Sequence, residues 1–128
     1  MENSILKSTK KMLGLAEDYT AFDHDVVVHI NSVFADLDQM GIGPEGGYEI
    51  DDQGEEQWAD FETAGVPSHK LKSVRSYVFL RVKHLFDPPT TGYLKDAAEE
   101  QIRKAEWRLN VAREESLHPL SEFVEEGA

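Results

Sequence analysis

His24 and His29 are the residues whose type comes nearest to a metal site, and the run from Asp51 to Glu62 comes nearest to a calcium loop. Neither meets the geometry. Two histidines five apart on a helix are rotated well off a common face, and no third ligand accompanies them. Counted from Asp51, Glu62 takes the twelfth position, where a calcium loop keeps its bidentate glutamate, but Gly54 falls at the fourth position rather than the sixth. Acid-base catalysis needs carboxylates in a cleft with separated pKa values, which exposed acids in a loop do not supply. The chain has no Gly-rich phosphate loop, no Gly-x-Ser-x-Gly elbow and no His-Glu-x-x-His. His69, His84 and His118 join no local motif. The residue chemistry therefore predicts no enzyme, no metal and no cofactor.

The elements that would position such residues are helical. From Ser68 to Pro89, Leu71, Val74, Val78, Val82 and Leu85 recur at steps of three and four, with Phe79 and Phe86 widening the stripe. Ser68 is placed to cap this segment, and Asp87-Pro88-Pro89 stops it, because neither proline donates the amide that another turn needs. It is the candidate central helix. Before it, Ile5, Leu6, Met12, Leu13 and Leu15 form a short amphipathic helix with Lys7, Lys10 and Lys11 on its other, solvated face. Val26, Val27, Ile30, Val33, Phe34, Leu37 and Met40 form a second strong helix over Asp23 to Met40, capped by Thr20 or Asp23. Tyr48 and Ile50 alternate with acids near 46–54, which allows a small β-hairpin or an irregular segment, and Trp58 and Phe61 sit three apart on a short helical turn that packs as a lid on the core. After Gly92 a helix runs from Leu94 to Ser116, its stripe of Leu94, Ala98, Ile102, Ala105, Leu109 and Ala112 narrowed by small residues. Trp107 lies off that stripe, where it meets either a second element of the core or another subunit. Residues 1–116 read as one domain and 117–128 as a tail, flexible until bound, in which Leu117, Leu120, Phe123 and Val124 have no periodic core to join.

Composition narrows the partners. Thirteen basic residues stand against 25 acidic ones, a formal charge of −12 in 128 residues, which disfavours tight DNA binding by the whole surface. Cysteine is absent, so disulfides and thiolate sites are excluded. No segment approaches the roughly 20 apolar residues of a membrane span, and no leader follows the first lysines, so neither insertion nor secretion is expected. Between Lys11 and Lys70 there is no lysine or arginine, whereas Lys70, Lys72, Arg75, Arg81 and Lys83 crowd the central helix without an acid. The two segments either neutralise each other within one chain or face solvent, or they meet on neighbouring copies head to tail.

Several stretches together resemble the head-tail connector, or adaptor, proteins of long-tailed bacteriophages. They are the opening SILKSTKKMLGL followed by DYTAFD, the helix end INSVFADLDQMGIGP, the WADF box, the helix VRSYVFLRVKHLFDPP and the later EWRLN, which span roughly Ser4 to Asn110. The resemblance implies a mainly α fold, a compact bundle of about four or five helices, assembled as a ring of about twelve copies beneath the portal protein. It implies no chemistry; such a ring extends the DNA channel at the head-tail junction of the virion, after assembly in the cytoplasm of the bacterial host. The expected portal contacts are Leu117, Leu120, Phe123 and Val124. Lys70, Lys72, Arg75, Arg81, Lys83, Asp36, Asp38 and Trp107 are the candidate subunit interface, and Glu49, Asp51, Asp52, Glu55 and Glu56 face the channel or a downstream stopper or tail component. The DNA is expected to pass without specific binding. The competing reading is a small acidic regulator, monomeric or dimeric, that binds one basic protein through the same acidic segment.

Overall fold

The computed structural model describes residues 4–44, 46–63 and 68–117, with side chains described at 4–44, 46–61 and 71–113. Five helices occupy them: α1 (Ile5–Met12), α2 (Asp23–Gln39), α3 (Trp58–Thr63), α4 (Ser68–Phe86) and α5 (Gly92–Leu117). Helix α4 packs against each of the other four, so the aromatic-rich segment closed by two prolines is the central helix. Its buried face is Val74, Tyr77, Val78 and Val82, and it meets Val26, Val27, Ile30, Val33, Phe34 and Leu37 of α2 in one core.

Helix α1 starts where Ser4, in extended conformation, accepts the Lys7 N–H at 3.2 Å, and the Ser4 hydroxyl donates to the Gly54 carbonyl at 3.0 Å. Lys10 is not on a solvated face. It is 2% exposed, its ammonium 2.9 Å from the Glu17 carbonyl and 2.8 Å from Asp23 Oδ1, because the chain after Gly14 turns back over the last turn of α1. That same bond explains why the expected cap of α2 is missing: Phe22 is its N-cap residue with no side-chain bond, and Asp23 is committed to Lys10. At the other end Gly41 (φ +79°) lets the Ile42 N–H reach the Leu37 carbonyl at 2.9 Å, which closes α2 in a left-handed turn.

The segment from 46 to 57 is irregular, and no strand occurs among the described residues; Ser4 and Gln57 form an isolated antiparallel bridge. The alternation around Ile50 does not become a hairpin because Asn31 of α2 takes both of its backbone groups, accepting its N–H at 2.8 Å and donating to its C=O at 3.0 Å. A side-chain amide thus replaces a strand partner. Helix α3 then lays Trp58 and Phe61, each 1% exposed, on the core as a lid. Phe61 stacks on Phe34 at 5.3 Å, Tyr48 and Trp58 meet Phe34 edge-on, and Trp58 Nε1 donates to Ser8 Oγ at 2.9 Å. The lid leaves no room beside it: a Cβ on Gly43 (φ +108°) would lie 2.8 Å from the Phe61 ring.

Helix α5 begins two residues before the expected Leu94, with the Leu94 N–H bonded to Thr91 Oγ1 at 3.3 Å. Its stripe reaches the core at Ile102 and Ala105, which pack against it, and Leu109, which is buried, while Ala98 is half-buried. Leu94 does not join it and is 53% exposed, because the first turn and a half of α5 runs past the bundle. Trp107 is 67% exposed, which rules out a place for it in the core of this chain.

Candidate assembly surfaces

The basic stripe of α4 divides into two sets. Arg81 turns inward, bonded through Nη2 to Asp36 of α2 at 2.7 Å and through Nη1 to the Tyr77 hydroxyl, with Glu106 of α5 3.9 Å away. Burial opposes the charge of Arg81, but the bonds to Asp36 and Tyr77 outweigh it and raise its pKa. Tyr77, missed as a core residue because its phenol breaks the apolar pattern, is fully buried and donates to Glu106 Oε2 at 2.8 Å. The four side chains tie α2, α4 and α5 together. Arg75 lies over Trp58 and Phe79, its guanidinium carbon 5.5 and 6.0 Å from the two ring centres. Lys72 and Lys83 form the second set: both are exposed and, eleven residues apart, they share a face turned about 180° from Arg81. Lys70 belongs to α4, with its side chain outside the described ones.

Burial, followed by the bond to Glu106, pushes the Tyr77 pKa up to about 12. Because the folded state holds this proton more tightly than the unfolded state, stability is complete below the ordinary tyrosine pKa of about 10 and falls as pH rises from there through 12. Tyr77→Phe is expected to flatten that alkaline limb while costing about 1–2 kcal/mol at neutral pH, the bond to Glu106 being lost. Urea denaturation across pH 9 to about 12 reads both effects; an unchanged alkaline slope contradicts the assignment.

Acids gather on the opposite side. Asp36 faces α4, whereas Asp38, two residues on, points nearly the other way and is exposed. Asp38 and Gln39 border an open groove of about 470 Å³ whose other wall is Gly47, Tyr48 and Glu49. Burial raises the Tyr48 pKa, with the charges of Asp60 and Glu56 adding to it. Asp51, Asp52 and Glu55 are exposed, and Glu56 accepts the Asp51 N–H at 3.1 Å. His24 approaches Asp52 at 3.4 Å with both side chains exposed, and among the described residues no group of three potential metal ligands occurs. The lining of the groove includes no histidine, serine, threonine or lysine.

Large apolar side chains are exposed among the described residues. Tyr93 (84% exposed), Leu94 and Trp107 lie on α5, and Tyr19, Phe22 and Phe86 form an edge-to-face ladder with spacings of 5.8 and 5.5 Å beside the end of α4. Leu117 ends α5, its side chain outside the described ones, and the tail positions Leu120, Phe123 and Val124 lie outside the described residues altogether.

The described residues thus present a divided charge pattern and exposed aromatics on a helical bundle. The family model described as phage connector protein matches residues 5–116, nearly all of the described structure. This chain belongs to the phage connector protein family. Comparison with curated proteins and with solved structures finds no match. The connector's role is structural, at the head-tail junction of a phage particle, and no helix among the described residues is long and apolar enough to cross a membrane.

Proposed function

We propose that this connector assembles as a ring of about twelve copies between the portal and a stopper or tail component, extending the channel through which the genome passes. The observation that carries the reading is the separation of its outward-facing charges: Lys72 and Lys83 on the outer face of α4, Asp38 beside the groove on the far side of α2. A ring needs two different faces per subunit, and these are complementary without being able to meet in one chain. Arg81 and Asp36 hold the subunit together, which leaves Lys72 and Lys83 as the basic contact with a neighbour and Asp38 as an acidic one, with Lys70 near the start of α4 a further basic contact. Trp107 is a further subunit contact. Glu49, Asp51, Asp52, Glu55 and Glu56 face the channel or the downstream component. An acidic wall suits a DNA conduit, since a basic lining would bind the phosphates through counterion release.

The tail docks on the portal through Leu117, Leu120, Phe123 and Val124, ordering as it binds. Capture of the purified chain by portal rings tests the reading. A chain lacking Ser116–Ala128 is expected to keep its helical signal and lose capture; capture at full strength removes the tail from the portal contact.

A further inference from the structure

Helix α5 carries a second periodic pattern on the side turned away from the core. Tyr93, Ala97, Glu100, Lys104, Trp107 and Val111 recur at alternating steps of four and three, the spacing of a seam between two packed helices. The first five are exposed and Val111 is half-buried, so the seam is open for roughly 21 Å of helix. It is not a uniform apolar stripe. Its large residues are Tyr93 and Trp107, its small ones Ala97 and Val111, and an acid and a base stand at its centre.

That order is self-complementary when reversed. Laid antiparallel on itself about Ile102, the seam places Trp107 over Ala97, Tyr93 beside Val111 and Glu100 against Lys104, each pair occurring twice about a two-fold axis. Large meets small and opposite charges meet, which is what an isologous interface requires. A parallel pairing would set Trp107 on Trp107 and Glu100 on Glu100. Arg103, beside the axis, is already bonded to its own Glu100 at 2.7 Å, so its charge is compensated before the two helices meet.

We infer that the free chain forms a two-fold dimer through antiparallel contact of the outer faces of α5, with a second copy of this chain as the occupant of the Tyr93–Trp107 seam. Each aromatic side chain offers about 150–250 Å², so the pair falls short of the roughly 800 Å² per partner of a stable interface and dissociates on dilution. The dimer covers Trp107 before any larger assembly needs it. This inference does not rest on the ring: the dimer concerns the chain alone.

The full chain contains no cysteine, so no disulfide can mimic the dimer, and dimerisation is read by sedimentation over a concentration series. Wild type is expected to pass from monomer to dimer as concentration rises, and Trp107→Ala to stay monomeric. Glu100→Lys and Lys104→Glu each set like charges together at both ends of the axis, and each is expected to raise the dissociation constant at least about tenfold. Mixed one to one, the two variants place lysines against glutamates at both positions and are expected to recover the dimer, as is the double variant E100K/K104E alone. Recovery on mixing cannot come from misfolded chains. A wild type that stays monomeric to about millimolar concentration, a Glu100→Lys chain that dimerises as well as wild type, or a mixture that fails to recover, each overturns the inference.

Discussion

Replacing Trp58 with alanine is expected to lower the stability of the connector by about 3–5 kcal/mol, a large share of the roughly 5–15 kcal/mol that holds most domains folded. The size of the effect follows from how many elements the indole joins. It comes from a helix of only six residues, too short to persist unpacked, and is 1% exposed. Its ring meets Phe34 of α2 and Phe79 of α4 edge-on, Arg75 lies over it, and its N–H holds Ser8 of α1. Alanine would leave a cavity among four helices and take away the donor that the Ser8 hydroxyl accepts. Urea denaturation followed by circular dichroism reads the loss. A change under about 1 kcal/mol would mean that the lid is dispensable to the core.

The second large effect is expected at Lys10. Lys10→Ala removes a fully buried cation from Asp23, which is itself mostly buried, and from the Glu17 carbonyl, so about 2–4 kcal/mol should be lost. Two contributions are separable. Lys10→Met keeps the packing of the stem and discards the charge, leaving Asp23 without its cation. Adding Asp23→Asn to Lys10→Met should then cost less than the sum of the single changes, because the carboxylate left without a partner has been removed. Strict additivity in that cycle would contradict the buried pair. The loop from Leu13 to Phe22 should become more sensitive to protease in Lys10→Ala, since Lys10, together with the exposed Lys7–Glu17 pair, fastens it to α1.

The helical core was legible because its signal is periodic. Val74, Val78 and Val82 in α4 and the valines, Phe34 and Leu37 in α2 alternate at helical spacing, and proline and glycine mark where each helix stops. What could not be read was polar and tertiary. Lys10 looks like any surface lysine until the chain folds back and brings Asp23 to it, and Tyr77 interrupts the stripe with a hydroxyl whose partners, Glu106 and Arg81, lie on two helices. Asn31 gave no hint that it would take the place of a strand beside Ile50. The charge contrast between the acidic segment and the basic helix was visible, but its division was not: only the fold distinguishes Arg81 and Asp36, which pair inside the chain, from Lys72, Lys83 and Asp38, which point away. Trp107 stood off its helix's stripe in the sequence, and only the fold shows that it is exposed rather than packed on a second element of the core.

In the proposed function this connector becomes a ring on a portal. Light scattering of the purified chain, alone and then mixed with portal rings across a salt series, measures it directly. A small species is expected alone, and on the portal an added mass of about twelve chains that diminishes as salt screens the lysine and carboxylate faces. A mass that portal rings leave unchanged at every salt concentration would contradict it.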